Sequence, residues 1–289
     1  MVEYVDPRTR QPFPAYHSGD GNVPFPTIDG IPVLTLEPRG LLARIPRSSA
    51  FPDVRRAGVP DPITSHLAPS ILGAADGLGN WFRELGETTP ETVCTSFGAR
   101  YAPPGPALDI GCGVGAMTRR IAVTGRETWA FDQNPDAVAL ARGLLTGSIN
   151  QVLIPTNKGG LRRVKVPFRP LAQNVSFCIA EATNPPFTKE TFAWVHLGTC
   201  LDDLGEGIAD ALVAASELLV TGGVLTICTA HAYLQNAEEN APSPEEEFAE
   251  AISAVGLRVI DKQDRVPAVR RDYDRQYQIR FIQCIAARK

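Results

Sequence analysis

One acidic residue and three glycines stand close together in the run ALDIGCGVGAM, residues 107–117. Asp109 ends an apolar stretch, and Gly111, Gly113 and Gly115 follow it at every second position. Glycine at a strand-to-helix turn lets the backbone adopt positive φ and approach a ligand closely, and the start of the next helix offers unpaired N–H groups. This spacing therefore predicts a turn that holds a nucleotide-like cofactor.

Two cofactor classes fit the glycines alone. Gly111, Gly113 and Ala116 satisfy the dinucleotide pattern G-x-G-x-x-G/A, and Asp132 lies 21 residues after Gly111, where a ribose-binding acid is expected. Asp109, two residues before the first glycine, favours the other class. With it, the run Asp-Ile-Gly-Cys-Gly-Val-Gly resembles motif I of the class I S-adenosylmethionine-dependent methyltransferases.

The resemblance continues along the chain. The segment VSFCIAEATNPPF, residues 175–187, resembles the fourth block of that family, and LLVTGGVLTICTA, residues 218–230, resembles its turn into the fifth strand. Glu181 and Thr221 depart from the family pattern, which more often has Asp and Pro there. The resemblance implies S-adenosylmethionine as cofactor, with S-adenosylhomocysteine as product. The cofactor-binding residues that it implies are Asp109, Gly111, Cys112, Gly113, Gly115, Asp132, Gln133, Glu181, Ala182 and Thr199.

Apolar segments alternate with helical ones from residue 106 onward, which predicts an α/β fold with a parallel sheet covered by helices. The resemblance makes this a seven-stranded Rossmann-like sheet, mostly parallel with an antiparallel last strand, and with helices on both faces. Strands are predicted near 106–110, 127–132, 175–180, 192–198, 223–230, 257–263 and 277–286. Helices are predicted near 115–123, 135–145, 207–219 and 244–255.

The first 60 residues contain ten of the 25 prolines, which predicts a small irregular or β segment rather than helices. Within it, FPTIDGIPVL, residues 25–34, resembles the end of Trm112-like zinc-ribbon domains. The four places where such ribbons carry zinc ligands fall near Asp6, Thr9, Ser18 and Gly21. None is a cysteine, so we expect a remnant that packs on the main domain without metal. The predicted domains are thus residues 1–60, ribbon remnant and proline-rich linker, and 61–289, the methyltransferase domain.

Residues 61–104 have a helical composition, and the resemblance to class I methyltransferases implies that they form a cap over the cofactor. Trp81 and Tyr101 are candidates for the substrate pocket, or else they pack between the cap and the sheet. Further on, residues 146–174 form a link that the sheet does not need. Its surroundings, residues 137–180, hold six basic residues and no acidic one. This predicted basic insertion is either a site for an anionic substrate or an RNA phosphate, or a solvated loop.

Methyl transfer to an acceptor that carries a proton benefits from a base near the methyl group. Ligands of an α/β sheet gather beyond the carboxyl ends of its strands, so candidate catalytic residues must follow strands there. His231 and Tyr233 follow the predicted fifth strand, and Asp202 follows the fourth. His231 alternatively has a structural role, and Asp202 alternatively caps the next helix. A third group, Arg270, Arg271 and Tyr273, precedes the last strand and could bind a carboxylate of the substrate.

The composition is that of a soluble enzyme. The chain of 289 residues has a net charge of −4, which argues against a protein dominated by phosphate contacts. Its six cysteines include no C-x-x-C pair, which favours buried free thiols in a reducing compartment and no metal site. With no run of 18 apolar residues and no signal-peptide core, we expect a cytoplasmic protein without a membrane partner.

Three functions from different classes remain open at this point. The first is a methyltransferase that acts on a small molecule or a peptide side chain. The insertion, the run LGTCLDDL and the Arg-Tyr-rich tail also resemble mercaptohistidine N-methyltransferases over a few residues, which implies a small, amino-acid-like acceptor. The second is a tRNA or rRNA methyltransferase, because of the ribbon remnant and the basic insertion. The third is a non-catalytic subunit that binds S-adenosylmethionine, because of the departures from the family pattern.

Overall fold

A computed structural model of the chain describes residues 2–12, 25–38, 88–156, 160–166, 170–171, 174–232, 243–273 and 276–289. Within these residues, a seven-stranded sheet has the strand order β10-β11-β9-β8-β3-β4-β7. Strands β9, β8, β3, β4 and β7 are parallel, whereas β11 is antiparallel to both of its neighbours. The strands of this sheet are β3 (Ala107–Ile110), β4 (Thr128–Asp132), β7 (Val175–Ile179), β8 (Phe192–Leu197), β9 (Leu219–Thr229), β10 (Arg258–Tyr273) and β11 (Gln276–Arg288).

Helices cover both faces of the sheet, because each one buries an apolar stripe against it. The helices are α1 (Pro90–Tyr101), α2 (Ala116–Val123), α3 (Pro135–Thr146), α4 (Ile208–Leu218) and α5 (Pro244–Ala254). One face packs on α1, α2 and α3, through buried residues such as Cys94, Ile121 and Ala141. The opposite face packs on α4 and α5, through Leu212 and Ile252. Short 3₁₀ turns at Thr199–Asp203 and Gly205–Gly207 join β8 to α4.

The predicted fold is confirmed, including the antiparallel last strand that separates this topology from a dinucleotide-binding fold. Gln283 of β11 pairs with Thr229 of β9, and Arg288 pairs with Val224, which is the antiparallel register. The helix limits agree with the prediction within one or two residues, since local signals mark them: Asn134 caps α3 ahead of Pro135, and Ser243 and Glu246 form a capping box for α5.

Two parts of the fold differ from the prediction. The link at 146–174, predicted without secondary structure, contains an antiparallel hairpin of β5 (Gln151–Pro155) and β6 (Leu161–Lys165). It is stable there because Val152, Ile154 and Val164 are buried beside α3. The C-terminal strands are also longer than predicted, and β10 reaches Tyr273 where its end was expected near residue 263. The part of the β10–β11 hairpin before Gln283 extends past the end of β9, at the carboxyl edge of the sheet. Arg270 and its neighbours therefore lie in a strand and not in a loop.

The described parts of the N-terminal segment pack on the main sheet. A two-residue turn at Asp29 and Gly30, both with positive φ, joins β1 (Thr27–Ile28) to β2 (Ile31–Pro32). Beyond it, Leu34 N donates a hydrogen bond to the carbonyl of Ile179 at 2.8 Å, which attaches the segment to edge strand β7. Tyr4 packs on Phe187 and Trp129. Asp6, at one of the places aligned with zinc ligands, instead accepts hydrogen bonds from the backbone N–H groups of residues 8 and 9.

The descent of this segment from a zinc ribbon remains a prediction, as does the domain boundary near residue 60. Ser18, Gly21, the linker and most of the predicted cap lie outside the described residues. Of the cap, the described part is α1, whose Val93, Cys94 and Phe97 pack on the sheet. None of the helices that the structure describes has the length and apolarity to cross a membrane.

Candidate active site

The glycine turn links β3 to α2 and has the backbone conformation that its sequence predicts. Gly111, Gly113 and Gly115 have φ values of +69°, +50° and +85°, in the left-handed region that glycine adopts without strain. Gly115 is the N-cap of α2, so the unpaired N–H groups of the first turn of this helix face the same edge of the sheet as the turn.

Two of these glycines are required for different reasons. A Cβ placed on Gly111 would collide with Cys200, whose side chain fills the space beneath the turn. A Cβ on Gly113 would meet nothing within 4 Å, so the space beside this residue is open. Gly111 therefore allows the turn to pack on the loop after β8, whereas Gly113 borders a space that a ligand can occupy.

Asp132, the last residue of β4, lies against the same turn. Its Oδ2 accepts a hydrogen bond from Gly113 N at 2.9 Å, and its Oδ1 accepts one from Asn134 N at 2.8 Å. Each carboxylate oxygen can accept more than one hydrogen bond. The half-exposed carboxylate therefore both orders the turn and retains capacity for hydroxyl donors of a ligand.

Asp109 lies beneath the turn rather than on its ligand side. Its side chain is 1% exposed, and its Oδ2 accepts a hydrogen bond from the Thr118 hydroxyl of α2 at 2.5 Å. Burial raises the pKa of Asp109 to about 7, against the opposing effect of the Thr118 hydrogen bond and with a smaller contribution from the charge of Asp132. This placement does not support the predicted direct contact with the cofactor. Asp109 instead ties β3 to α2 and positions the turn between them.

The other predicted cofactor residues lie at the same carboxyl edge. Ala180 N donates to the backbone carbonyl of Asp132 at 3.2 Å, which holds the half-buried Glu181 and Ala182 beside β4. Gln133 is exposed directly after Asp132, and Thr199 is exposed at the start of the 3₁₀ turn that carries Cys200. Cys112 is buried, and its N–H donates to the carbonyl of Phe131. Burial raises the pKa of both Cys112 and Cys200, so neither thiol supplies a nucleophile at neutral pH.

A family model described as a methyltransferase domain matches residues 108–227, which contain the turn, Asp132 and the loop after β8. The chain is thus similar to methyltransferase domains over about two fifths of its length. S-adenosylmethionine is accordingly its cofactor, and the chain fits this molecule, because the open space at Gly113 and the carboxylate of Asp132 adjoin each other.

Solved structures of methyltransferases are similar to this chain at low sequence identity. An S-adenosylmethionine-dependent methyltransferase from Methanosarcina mazei is 16% identical, with a TM-score of 0.47 over 66% of this chain and 95% of its own. The N-methyltransferase NodS from Bradyrhizobium japonicum is 15% identical, with a TM-score of 0.49 over 73% and 98%. The CcbJ methyltransferase from Streptomyces caelestis is 14% identical, with a TM-score of 0.48 over 74% and 96%. A search of curated proteins found no significant match.

A second group of polar residues lies beside the glycine turn, at the carboxyl ends of β8 and β9 and next to Gln283 of the antiparallel β11. Asp202 accepts hydrogen bonds from the Thr229 hydroxyl at 2.7 Å and from Ala230 N at 2.9 Å. Both of its carboxylate oxygens thus hold the end of β9. The sequence predicts Asp202 as a catalytic residue or a helix cap. Its contacts with Thr229 and Ala230 instead position His231, the residue after Ala230.

His231 is held in an unusual conformation. Its φ is +53°, which is uncommon for a residue other than glycine, and its N–H donates to Thr229 Oγ1 at 2.9 Å. The ring packs edge-on against Phe248 of α5, and its Nε2 lies 3.2 Å from Gln283 Oε1. Because these contacts fix both the backbone and the ring, His231 is presented at the carboxyl edge in a defined orientation.

A row of buried polar residues that no sequence motif predicts lies on the face of the sheet that packs on α1, α2 and α3. Asp109, His196 and Thr226 face one another across β3, β8 and β9 in direct register. Thr226 Oγ1 accepts a hydrogen bond from Trp194 Nε1 at 2.8 Å and lies 3.0 Å from His196 Nδ1. The hydroxyl of Thr226 therefore hydrogen-bonds to both buried rings, Trp194 and His196. Burial lowers the pKa of His196 to about 3, so the ring is neutral.

The remaining predicted site residues divide between two edges of the sheet. Tyr101 lies at the amino edge, opposite the turn, where its hydroxyl donates to Asp261 at 2.6 Å. It is therefore not brought to the substrate pocket. Arg270 lies on the projecting part of the hairpin at the carboxyl edge, on the same side as the turn. Arg271 and Tyr273 share that strand, but their side chains, like all of Trp81 and Tyr233, lie outside the described residues.

Replacing Asp132 by Ala is expected to weaken S-adenosylmethionine binding by about 1–3 kcal/mol, because hydrogen bonds from ligand hydroxyls to a charged acceptor are lost. The measurement is titration calorimetry of the full chain with the cofactor. Glu127→Ala, an exposed acid at the other end of β4, is the matched control and should bind normally. Equal affinities of the Asp132 variant and the control would contradict the assigned role of Asp132.

Proposed function

We propose that the protein transfers a methyl group from S-adenosylmethionine to a small-molecule or peptide acceptor that binds at the carboxyl edge of the sheet. The observation that carries this proposal is the fixed group formed by Asp202, Thr229, His231 and Gln283. It adjoins the loop whose Cys200 packs under Gly111 of the cofactor turn. One rigid loop thus supports the cofactor turn on one side and the orientation of His231 on the other.

The cofactor supplies a methyl group on a positively charged sulfur, so the carbon is already activated for displacement. The tasks of the protein are then to align the acceptor and to accept its proton. In our proposal His231 performs the second task. The oxygen of Gln283 lies 3.2 Å from Nε2 and fixes the orientation of the ring for this task. Arg270, on the hairpin past β9, is a candidate for binding a carboxylate of the acceptor.

An RNA acceptor is the second candidate, and the β5–β6 hairpin is the observation that favours it. Its Arg162, Arg163 and Lys165 are exposed, and Arg163 and Lys165 share one face of β6, so the hairpin carries basic charge on a protein of net negative charge. The hairpin lies beside α3, near the β4 and β7 side of the sheet. Phosphate contacts of this kind weaken steeply as salt is raised.

Labelled S-adenosylmethionine and a cell extract separated into small molecules, RNA and protein would test the proposal. Label in the small-molecule or peptide fraction is expected, and its loss with His231→Asn would support the role of His231. Label in RNA alone would favour the second candidate, particularly if replacing Arg162 and Arg163 by Glu abolishes it. Cofactor binding without label in any fraction would indicate the third class, a non-catalytic subunit.

Asp202→Ala is expected to lower the turnover number by about 10- to 100-fold. The end of β9 loses its two hydrogen bonds to Asp202, and a displacement of His231 by about 1 Å or less is enough for such a loss. S-adenosylmethionine affinity should change little, since Asp202 contacts β9 and not the turn. The adjacent, exposed Asp203→Ala is the matched control. Turnover number and cofactor dissociation constant are measured separately, and an unchanged turnover number in the Asp202 variant would contradict its positioning role.

A further inference from the structure

Three cysteines that are far apart in the sequence meet inside the protein. Cys94 of α1, Cys228 of β9 and Cys284 of β11 are 0%, 3% and 0% exposed. Cys228 and Cys284 stand directly opposite each other in the antiparallel pair, and α1 places Cys94 over them. The Sγ atoms of Cys94 and Cys228 are 3.3 Å apart, those of Cys228 and Cys284 are 3.9 Å apart, and all three lie within 4.8 Å of one another.

We propose that Cys94, Cys228 and Cys284 form a binding site for a single soft metal ion, with three sulfur ligands. At a metal–sulfur bond of about 2.3 Å, three sulfurs around one ion are separated by about 3.8–4.0 Å. The distance of 3.9 Å agrees with this value, that of 3.3 Å is somewhat shorter, and the third is at most 4.8 Å, so small rotations of the side chains suffice to enclose an ion. Thiolates select soft ions such as Zn²⁺ and Cu⁺ over Mg²⁺ or Ca²⁺.

The surroundings of the trio also fit an ion held by sulfur alone. Val93, Trp194, Val224 and Ile282 belong to the apolar cluster that contains the trio. The polar atoms described nearest to the sulfurs are two backbone carbonyls, Ile227 O at 3.6 Å from Cys94 and Pro90 O at 3.9 Å from both other cysteines. Among the described residues, no His, Asp or Glu joins the three cysteines. The coordination that this geometry offers is therefore trigonal.

Binding requires that protons leave the trio. Burial raises the pKa of Cys94 and hydrogen bonds with Cys284 and Cys94 raise that of Cys228, whereas hydrogen bonds with Cys228 and Cys94 lower the pKa of Cys284 to about 5. A divalent ion forms three metal–sulfur bonds, and the displaced thiol protons pass to solvent with no change of oxidation state. Because the trio is buried, we expect the ion to enter while the chain folds and to fasten α1 to β9 and β11. This inference does not rest on the proposed methyl transfer.

The test uses the full chain, unfolded with a chelator and a reductant, freed of both, and refolded with equimolar Cd²⁺ or Mg²⁺. Wild type is expected to retain one Cd²⁺ per chain, with thiolate-to-metal absorption in the ultraviolet and a raised melting temperature, and to retain no Mg²⁺. At least tenfold less Cd²⁺ than in wild type should be retained by each of the variants Cys94→Ala, Cys228→Ala and Cys284→Ala. Cys178→Ala removes a fully buried thiol outside the trio and is the matched control.

The wild-type result decides the proposal even where a variant does not fold. Wild type that retains no Cd²⁺, or that retains it without the charge-transfer absorption, overturns the site. So does a folded variant of the trio that binds as much Cd²⁺ as wild type, or loss of binding in Cys178→Ala alone. Competition by Zn²⁺ and by Cu⁺ against bound Cd²⁺ then identifies which soft ion the three sulfurs prefer.

Discussion

Gly113→Ala is expected to bind S-adenosylmethionine at least tenfold more weakly than wild type while the protein stays folded. The methyl group would occupy the open space beside the turn, where the cofactor is expected to lie, and nothing in the protein itself is within 4 Å of it. The backbone penalty is that of an L-residue at φ +50°, about 1–2 kcal/mol. Most domains tolerate such a loss, because their stability is about 5–15 kcal/mol.

Gly111→Ala is expected to lower the stability of the fold more than the affinity for the cofactor. Its φ of +69° carries the same backbone penalty, but its Cβ also collides with Cys200, whose own Cβ would be only 2.7 Å away. Overpacking of this kind adds about 1–3 kcal/mol, so the loss of stability is about 2–5 kcal/mol. Cys200→Gly in the same chain should restore part of that stability, because it removes the colliding atoms.

Urea unfolding of the apoprotein and calorimetry with S-adenosylmethionine separate the two variants. Gly113→Ala should lose mainly affinity, and Gly111→Ala mainly stability. Gly125→Ala is the matched control: its φ is +85°, nothing lies within 4 Å of its Cβ, and it follows α2, away from the turn. If Gly113→Ala binds as tightly as Gly125→Ala, the cofactor does not occupy the space at Gly113.

Local sequence signals predicted most of the fold because each is completed within a few residues. The limits of α3 and α5 follow from Asn134 with Pro135 and from Ser243 with Glu246, which satisfy the first N–H groups of their own helices. The glycine turn is local in the same sense. In the link at 146–174, the alternation of apolar residues at 152, 154, 164 and 166 was a signal for the hairpin, but its many charges obscured it.

The parts that sequence analysis did not predict depend on contacts between distant residues. Asp202 is a positioning residue because β9 ends 27 residues later beside it. The cysteines of the trio are separated by 134 and 56 residues, so no spacing rule for metal ligands applies to them. His196 belongs to no sequence motif, and only the sheet register shows that it lies between Asp109 and Thr226.

Asp109 and His196, which face each other in this register, are expected to give the stability of the protein two opposing pH dependences. The pKa of Asp109 is raised from 3.8 to about 7 by burial, so between these values the folded chain holds a proton that the unfolded chain has released. Stability from this group is complete below pH 3.8 and is lost as the pH rises to about 7, by about 4 kcal/mol in all.

His196 acts with the opposite sign. Burial lowers its pKa from 6.5 to about 3, so between these values the unfolded chain holds a proton that the folded chain lacks. Stability from this group is complete above pH 6.5 and is lost as the pH falls to about 3, by about 5 kcal/mol. Between about pH 4 and 6.5 the two dependences nearly cancel. We therefore expect that Asp109 and His196 together contribute an almost constant amount to the free energy of unfolding of wild type in that pH range.

Asp109→Asn should expose the dependence on His196, so that the apoprotein loses about 4–5 kcal/mol of stability between pH 7 and pH 3.5 relative to wild type. The amide oxygen still accepts from Thr118. His196→Asn, whose amide replaces Nδ1 as the hydrogen-bond partner of Thr226, should instead lose stability as the pH rises from 4 to 7. The double variant should return to a flat profile, because both titrating groups are gone.

Urea unfolding of each apoprotein across this pH range measures the slopes. Glu250→Gln, an exposed carboxylate-to-amide change on α5, is the control and should follow wild type. Parallel profiles for wild type and both single variants would mean that neither buried group titrates between the folded and unfolded states. The same slope in wild type and in the Asp109 variant, with a flat profile in the His196 variant, would mean that only His196 titrates. Opposite slopes that cancel in the double variant would establish that the two residues balance each other across β3 and β8.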